Sequence, residues 1–323
     1  MIKKNIEKGT PNNREEELAS QREYFEFDKN AGEITGYDTA GGLKVVIPSE
    51  LGGVEVKVIG AGAFAYQGLT SVEIPNSVEV IEERAFWGNA LRSVEIPASV
   101  ERIEKGAFWH NDMFSVEIFK GVELIGEASF KSNDLSSIEI PESVKQIKYQ
   151  GFFDNRIETV NIQDGLEKIG VSAFECNRLT AVEMPDSVKK VCSKAFAGNQ
   201  ITALELPEGV KYLSGFGFNE LTSVEIPDSV EIIGYEAFKN NNLTAVEIPD
   251  KVQRIGFEAF EGNNLTTVKI GDDVYFSNLG NAIGGNFRKV YLDNNRSAGT
   301  YVRDAPPHEF YTWFGEGDWY KKD

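Results

Sequence analysis

The stretch that decides the fold is Leu221-Thr-Ser-Val-Glu-Ile-Pro-Asp-Ser-Val-Glu-Ile-Ile-Gly-Tyr-Glu-Ala-Phe-Lys-Asn-Asn241, because its pattern repeats along most of the chain. Every step between repeats is 22 residues except the step from Ile201 to Leu221, which is 20. A fixed period of this length predicts a solenoid whose coils contact mainly their neighbours, and such long surfaces favour binding over catalysis. The units begin at Leu69, Leu91, Met113, Leu135, Ile157, Leu179, Ile201, Leu221, Leu243, Leu265 and Phe287.

The first part of each unit is predicted to be a short strand with one buried face. In the unit that begins at Leu69, apolar and polar residues alternate, so Leu69, Val72 and Ile74 are expected to point inward and Glu73 outward. Pro75 has no N–H to donate to a neighbouring strand and therefore ends the strand. Strands of successive coils are expected to stack in parallel about 4.8 Å apart.

Two further apolar corners complete each coil. Val78 and Ile81 form the second corner, and the pair Ala85-Phe86 forms the third, where a small residue beside a ring indicates a tight turn around one large side chain. An asparagine closes each unit, and we expect its side chain to hydrogen-bond turn backbone in its own coil and in the neighbouring coil. A ligand contact is the weaker alternative for this column. Its members are Asn89, Asn111, Asn133, Asn155, Asn177, Asn199, Asn219, Asn241 and Asn263.

The pattern Leu-x-x-Val-x-Ile-Pro-x-x-Val-x-x-Ile-Gly-x-x-Ala-Phe-x-x-Asn resembles the leucine-rich repeat superfamily, and more narrowly the BspA-like type of bacterial surface proteins. The resemblance covers residues 42–289. It implies an α/β leucine-rich-repeat solenoid that is β-rich, right-handed and curved, with few or no long helices. It also implies export and a role in adhesion or protein recognition, without catalytic residues. In the commonest form of that family, Cys stands at or beside the repeat position that Asn occupies in this chain. Only Cys176 matches that form.

Both ends depart from the repeat, as a solenoid that must cover its terminal coils requires. We predict a polar, disordered segment over residues 1–22 and a β-hairpin cap over residues 23–41, followed by about eleven coils over residues 42–290. Residues 291–323 are predicted to form an aromatic-rich C-terminal cap, and an exposed aromatic strip that binds glycan or a partner is the alternative. The aromatic residues concerned are Tyr301, Phe310, Tyr311, Trp313, Phe314, Trp319 and Tyr320.

The charge balance restricts the choice of partner. Lys and Arg number 33 against 51 Asp and Glu, which gives a net charge of −18. Duplex nucleic acid and anionic membranes reward basic surfaces, so neither is expected as a partner. A basic protein or a metal cation would instead be attracted.

Neither the chain start nor the cysteines fix the compartment. No stretch approaches the roughly 18 apolar residues of a membrane span. Met1-Ile-Lys-Lys is not followed by an apolar run, so no export signal is visible in this chain. Cys176 and Cys192 lie at non-equivalent positions in adjacent repeats. Free thiols are expected, with one bridge between coils left open as the alternative.

The outward strand position is almost always glutamate. Like charges on neighbouring strands are unfavourable, and two charges about 5 Å apart in water repel by roughly 1 kcal/mol. Two explanations would account for this cost. The charged face is solvated and keeps the protein soluble, or it binds a basic partner. These candidate binding residues are Glu73, Glu95, Glu117, Glu139, Glu183, Glu205, Glu225 and Glu247.

A second acidic column follows the proline. Together with the first column it offers oxygen ligands for Ca²⁺, but the chain has no EF-hand loop or glycine-rich calcium repeat, so calcium is the weakest reading. The column comprises Glu142, Asp164, Asp186, Glu208, Asp228, Asp250 and Asp272.

Departures from the repeat cluster in the early coils. Arg92 and Phe114 stand beside the strand where Thr is usual, and Phe119 stands where Pro is expected. Trp87 and Trp109 share one outward column. Aromatic residues and Arg are typical anchors of protein interfaces, so Arg92, Phe114, Trp87 and Trp109 are candidate binding residues. The alternative is that the two tryptophans only stack on each other, on a different side from Arg92 and Phe114.

No enzyme signature is present. His110 and His308, the two histidines, lie in different regions, and the chain has no nucleophile–base set, Cys/His metal spacing or phosphate-binding loop. The sequence therefore predicts a non-catalytic recognition scaffold without a cofactor, a bacterial cell-surface or secreted adhesion protein that binds a protein ligand. A self-assembling structural protein and a cytosolic interaction scaffold are the alternatives.

Overall fold

A computed structural model describes residues 22–277, 282–303 and 319–322. The chain forms a β-solenoid of about eleven coils, with parallel strands about 22 residues apart and almost no helix. The leucine-rich-repeat architecture predicted from the sequence is thereby confirmed.

An antiparallel hairpin opens the solenoid. Strands β1 (Phe25–Asp28) and β2 (Glu33–Tyr37) pair with Phe25 opposite Tyr37. Both of these rings lie against Phe64 in the first coil, with ring centroids 6.3 and 5.5 Å from it. The hairpin therefore covers the apolar interior at this end.

The predicted strands of the repeat are present in ten coils and pair in parallel, but the prediction is wrong for two units: the unit that begins at Leu221 has no strand here, and the unit that begins at Phe287 starts a helix. The ten strands are β3 (Lys44–Val46), β7 (Ser71–Glu73), β9 (Ser93–Ile96), β11 (Ser115–Ile118), β13 (Ser137–Ile140), β15 (Thr159–Ile162), β17 (Ala181–Glu183), β19 (Ala203–Glu205), β22 (Ala245–Glu247) and β24 (Thr267–Ile270). They pair as β3–β7, β9–β11, β13–β15, β17–β19 and β22–β24, so this side consists of separate short sheets. The interruptions do not follow the charges, because Glu95 lies directly opposite Glu117 inside one of the pairs.

The second apolar corner carries strands that the sequence did not predict. They are β6 (Val58–Ile59), β8 (Val80–Ile81), β10 (Arg102–Ile103), β12 (Leu124–Ile125), β14 (Gln146–Ile147), β16 (Lys168–Ile169), β18 (Lys190–Val191), β20 (Tyr212–Leu213), β21 (Ile232–Ile233), β23 (Arg254–Ile255) and β25 (Tyr275–Phe276). With the hairpin they form one uninterrupted sheet of 13 strands, which we call the continuous sheet. Two residues per strand are too few to show the alternation from which strands are recognised.

A short antiparallel pair and a C-terminal group complete the elements. Strands β4 (Glu50–Leu51) and β5 (Val54–Glu55) pair within the long first coil. The helix α1 (Phe287–Asp293) precedes β26 (Gly299–Val302), which pairs antiparallel with β24, and β27 (Tyr320–Lys321) pairs with β26. Tyr291, Tyr301 and Trp319 are buried here around Phe287.

A column of buried phenylalanines fills the interior, one ring per coil. Consecutive centroids lie 5.0 to 5.9 Å apart and the ring planes differ by 3 to 15°. Offset-stacked rings stabilise each other by about 0.5–1.5 kcal/mol beyond the burial of their area. The phenylalanine stack consists of Phe64, Phe86, Phe108, Phe130, Phe152, Phe174, Phe196, Phe216, Phe238 and Phe260.

The asparagine column forms the hydrogen-bond ladder that the sequence predicted. Asn155 accepts a hydrogen bond from the N–H of Leu135 at 3.2 Å. Its Nδ2 donates to the carbonyl of Phe152 in its own coil at 3.2 Å and to that of Phe130 in the preceding coil at 2.9 Å. Asn219 keeps equivalent bonds although its coil is two residues shorter. The structural role of these residues is therefore confirmed.

Candidate binding surfaces

The outward side of the repeat strands presents the predicted glutamates, and we call it the glutamate face. Its eight glutamates, from Glu73 to Glu247, are all exposed. Glu95 faces Glu117 across β9 and β11, and Glu183 faces Glu205 across β17 and β19. Adjacent like charges destabilise a sheet, so this arrangement costs free energy of folding.

Some charges on this side have partners within the chain. Glu247 forms an ion pair with Lys269 on the next strand, and Glu139 accepts a hydrogen bond from Gln163. In the second acidic column, Glu142 lies 2.8 Å from the ammonium group of Lys120. That hydrogen bond and the lysine charge hold the pKa of Glu142 below its usual value. The acidic surface is therefore partly neutralised, and unevenly along the solenoid.

Two grooves open on the glutamate face where neighbouring strands are not paired. One, of about 670 Å³, lies between β7 and β9 and is lined by residues 71–74 and 93–95, with Pro97, Ala98 and Phe119 at its edge. The other, of about 480 Å³, lies between β15 and β17 and includes Met184 and Glu205. The breaks between the short sheets thus create recesses that a continuous sheet would not have.

Two phenylalanines project at the ends of β11. Phe114 precedes the strand and is 56% exposed, and Phe119 follows it and is 42% exposed. Their backbone N–H groups donate to Arg92 and Ile96 of the preceding coil at 3.0 and 3.1 Å, so the backbone at both ends of the strand is held in place. Exposed Glu117 lies between the two rings in sequence. Sequence reasoning noted the exchange of Pro for Phe at position 119 but did not place this residue among the candidate binding residues.

The two tryptophans form part of a second aromatic row, on the turn that follows the phenylalanine stack. Trp87 and Trp109 stack with centroids 5.2 Å apart and planes within 11°. The ring of Tyr66 lies 4.5 Å from that of Trp87. At the other end, the ammonium group of Lys131 lies 5.5 Å from the Trp109 ring and 4.8 Å from the Phe153 ring. We call these five residues the aromatic ridge.

The ridge leaves little aromatic face open. Trp87 lies between Tyr66 and Trp109, and Trp109 lies between Trp87 and Lys131, so both faces of each indole have neighbours. Gly88 makes room for this packing, because a Cβ there would lie 2.5 Å from the Tyr66 ring and its φ is +69°. A ligand that stacks on a tryptophan face, as a sugar ring does, would have to displace one of these neighbours. The predicted mutual stacking of the tryptophans is confirmed by this geometry.

A third groove, of about 450 Å³, runs beside the ridge. Tyr66, His110, Asp112 and the ion pair of Asp134 with Arg156, at 2.9 Å, contribute to its walls. His110 occupies a left-handed turn position with φ +60°. His308, the other histidine, lies outside the described residues, as do Phe310, Tyr311, Trp313 and Phe314.

Other chemistry is sparse in the described part of the chain. Cys176 is exposed and Cys192 is buried, and both are free thiols. Burial raises the pKa of each, and for Cys176 the charges of Glu175 and Asp154 raise it further. Within residues 22–277, 282–303 and 319–322, no group of three or more His, Cys, Asp or Glu side chains is placed to hold a metal ion. None of the helices in those ranges has the length and apolar character needed to cross a bilayer.

Comparison with known proteins agrees with the geometry. The sequence profile of the family described as "BspA type Leucine rich repeat region (6 copies)" matches residues 57–176, 109–220 and 213–282, more than half of the chain. The chain belongs to the BspA-type leucine-rich repeat family. No curated protein matches it.

Solved structures of bacterial repeat proteins resemble this BspA-type chain. A leucine-rich repeat protein from Bacteroides ovatus is 25% identical with a TM-score of 0.62, over 78% of this chain and 76% of that one. The pneumococcal vaccine antigen PcpA is 20% identical with a TM-score of 0.49, over 75% of each chain. A leucine-rich cell surface protein from Faecalibacterium prausnitzii is 21% identical with a TM-score of 0.36, over 76% of this chain and 92% of that one.

In this BspA-type solenoid, the predicted site residues fall into two groups. Arg92, Phe114, Glu95 and Glu117 lie together on the paired strands β9 and β11 or directly before them. Trp87 and Trp109 belong to the aromatic ridge and line none of the three grooves. Tyr66 and Lys131, which close the ridge, were not predicted, because their contacts depend on side chains that reach across to a neighbouring coil.

Proposed function

We propose that this protein is a non-catalytic recognition scaffold, exported to the bacterial surface or secreted, that binds a basic segment of a protein partner on its glutamate face. The contact is centred on Phe114, Glu117 and Phe119, with Arg92 and Glu95 beside them. Membership of the BspA-type family supports the surface location and the absence of catalysis.

The observation that carries this proposal is the pair of exposed phenylalanines at the ends of β11. Two exposed rings at the two ends of a four-residue strand cost solvation free energy that the same positions of other coils avoid with Thr and Pro. Aromatic side chains of this kind anchor protein interfaces. The glutamates between and beside them attract a basic segment and steer its approach. The adjacent groove of about 670 Å³ supplies a recess for an apolar side chain.

The test is a binding screen with substitutions taken from other coils. Purified host extracellular proteins of known charge are immobilised singly, and binding of the wild type is compared with that of a Phe114→Thr, Phe119→Gln variant. Thr is usual at the first position, and Gln163 occupies the second in another coil and keeps the same backbone hydrogen bond to the preceding coil that Phe119 makes. We expect a partner with a basic segment whose affinity falls at least tenfold in this variant, because such anchors contribute about 2 kcal/mol or more.

Two matched variants complete the design. Glu95→Gln with Glu117→Gln is expected to slow association and to weaken its salt dependence, whereas Glu183→Gln with Glu205→Gln makes the same charge change on paired strands without exposed phenylalanines beside them. If both glutamate variants lost affinity equally, binding would depend on the overall acidic charge and not on a local site. Binding retained by the Phe114→Thr, Phe119→Gln variant would reject the site, and a Trp87→Ala, Trp109→Ala variant would be tested next.

A cytosolic interaction scaffold, the alternative, uses the same surface in another compartment. Fractionation of the native cells with an antibody against the solenoid distinguishes the two. Surface labelling of intact cells supports export, and recovery only after lysis supports the cytosolic scaffold.

A further inference from the structure

The outward residues within the strands of the continuous sheet have a charge pattern opposite to that of the glutamate face, although the residue directly before the strand is glutamate in five of the coils. Each coil strand of this sheet contributes one outward residue, and among the eleven such residues none is acidic and four are basic. In a chain with 51 acidic residues and a net charge of −18, this is a local reversal. The column is Val58, Val80, Arg102, Leu124, Gln146, Lys168, Lys190, Tyr212, Ile232, Arg254 and Tyr275.

The positive charge is concentrated in the central coils. We define the lysine patch as Lys145, Lys148, Lys168, Lys189 and Lys190, which lie on or beside β14, β16 and β18. Lys168 and Lys190 are directly opposite each other in register. Like charges in this position destabilise the sheet, as on the glutamate face.

These lysines form no close ion pair, although exposed Glu167 lies between Lys145 and Lys189 in the stack of coils and the charge of Lys145 acts on Glu142. Among the residues that the structure describes, no carboxylate lies within 4.0 Å of any of the five ammonium groups. Lysines elsewhere on the same side do have partners: Lys57 lies 2.6 Å from Glu79 and Lys211 lies 3.2 Å from Glu231. Lys189 donates to the carbonyl of Asp186 and Lys190 lies 5.0 Å from the Tyr212 ring, contacts that position the cations without cancelling their charge.

We propose that the lysine patch docks on the glutamate face of a second copy of this chain. Charge complementarity favours this occupant, and so does spacing. Lys168 lies opposite Lys190 on hydrogen-bonded parallel strands, and Glu183 lies opposite Glu205 on another such pair, so both pairs have the spacing of neighbouring strands, about 4.8 Å. When two copies lie with their axes aligned, these two lysines can therefore meet these two glutamates in register. Another acidic protein would have to reproduce this spacing independently.

The later coils supply the acidic side of this contact. Glu183 and Glu205 are paired and exposed, and Glu225 and Glu247 continue the column, although Glu247 also contacts Lys269. These coils lie away from Phe114 and Phe119, so a basic partner and a second copy use different parts of the glutamate face. Patch and acidic column lie on different sheets of one molecule, so the interface is heterologous and each copy adds another. The result is an open row of solenoids.

Salt sets the conditions for this association. Two copies with a net charge of −18 each repel at long range, and this repulsion is screened beyond about 8 Å at 0.15 M salt. The short contacts between lysine and glutamate persist at that ionic strength and weaken at 1 M, where the screening length is about 3 Å.

The test is sedimentation velocity of the full chain from 10 to 500 μM protein. In 0.15 M salt the weight-average mass of the wild type should rise above the 35.8 kDa of the single chain and return to it in 1 M salt. A patch variant, Lys168→Gln with Lys189→Gln and Lys190→Gln, and an acidic variant, Glu183→Gln, Glu205→Gln, Glu225→Gln and Glu247→Gln, should each remain monomeric. A Lys57→Gln, Lys105→Gln variant, which removes paired lysines outside the patch, should assemble like the wild type.

A mixture of the patch variant and the acidic variant, each of which should be monomeric alone, gives the sharpest result. The patch variant keeps its glutamates and the acidic variant keeps its lysines, so one native interface remains between them. We expect a 1:1 complex that does not grow with concentration. A wild type that stays monomeric at 500 μM in 0.15 M salt overturns the proposal, as does a patch variant that assembles normally. Binding of polyglutamate to the patch without self-association also overturns it, in favour of a different anionic partner. None of these outcomes bears on Phe114 and Phe119, so the proposed function is judged separately.

Discussion

The phenylalanine stack and the aromatic ridge have the same geometry in two different environments. Both place rings of successive coils about 5 Å apart with nearly parallel planes, as Phe108 and Phe130 do inside and Trp87 and Trp109 do outside. The inner stack runs through ten coils, whereas the tryptophan row spans two and is closed by Tyr66 and Lys131. A solenoid therefore stacks any side chain that recurs at one position, and burial decides whether that side chain is required.

The later part of the ridge column shows what happens without this requirement. After Phe153 the equivalent positions become Glu175, Ala197, Gly217, Lys239 and Glu261. Lys239 forms ion pairs with Glu236 and Glu258, so charge contacts replace ring contacts in these coils. The inner column tolerates no such exchange, because an unpaired charge there would lose its hydration.

The largest effect is expected inside. Replacement of Phe152 by Ala removes its stacking contacts with Phe130 and Phe174, whose ring centroids lie 5.3 and 5.2 Å away. It also leaves a cavity in the middle of the column. The free energy of unfolding should fall by about 3–5 kcal/mol. Urea denaturation followed by circular dichroism measures it. A loss below about 1 kcal/mol would mean that the coils collapse around the gap, and the inner stack would then be no more necessary than the ridge.

The asparagine ladder should come next. Asn155→Ala leaves the buried N–H of Leu135 without its acceptor, and the Phe130 carbonyl loses one of its two donors but keeps Asn133. We expect a loss of about 1–3 kcal/mol, since one unsatisfied buried group costs about that much. Asn155→Asp keeps the acceptor but places a buried carboxylate against the Phe130 and Phe152 carbonyls, so it should destabilise the protein more than Asn155→Ala. Urea denaturation of the two variants side by side measures both losses. Equal stability of the wild type and the Ala variant would contradict the ladder.

The ridge should contribute less. Trp109→Ala removes the stack on Trp87 and the cation contact with Lys131, at a half-buried position, and should cost about 1–2 kcal/mol. The same change at Phe152 is its matched comparison. If the two losses were equal, exposure would not distinguish the two rows, and the ridge would have to be treated as part of the core.

The smallest effect is expected at Glu261, in the charged part of the ridge column. Burial, and then the charge of Glu258, raise the pKa of Glu261 above its ordinary value of 4.5. A carboxyl whose folded pKa is raised contributes stability that is present below its unfolded pKa and lost as pH rises through the folded pKa. At pH 7 Glu261→Gln should therefore stabilise the protein by less than about 1 kcal/mol. The difference from the wild type should disappear as pH falls toward 4.5. Thermal unfolding at pH 7 and pH 4.5 tests this, and a difference that grows on acidification would contradict it.

The sequence predicts the parts of this fold that repeat and misses those that depend on neighbours. The Ala-Phe pairs and the asparagines are recognisable because one physical demand returns in every coil. The strands of the continuous sheet are too short to show a period, so Val78 and Ile81 suggested only an apolar corner. The exposure of the glutamates follows from the alternation of apolar and polar residues along each strand. The grooves beside them depend on where backbone pairing between strands stops, and no sequence pattern predicts that point. The position of Tyr66 over Gly88 is likewise a matter of side-chain reach across a turn.

The direction of the asparagine ladder has a consequence for how the protein is made. Each asparagine donates backward, from its own coil to the carbonyl of the preceding phenylalanine, as Asn177 does to Phe152 at 3.0 Å. A chain that leaves the ribosome N-terminus first presents the hairpin and then one coil at a time. The phenylalanine carbonyl of each coil already accepts from the asparagine of its own coil, and every newly completed coil adds a second donor to it. The solenoid can therefore lengthen on the ribosome with its newest coil alone left incomplete.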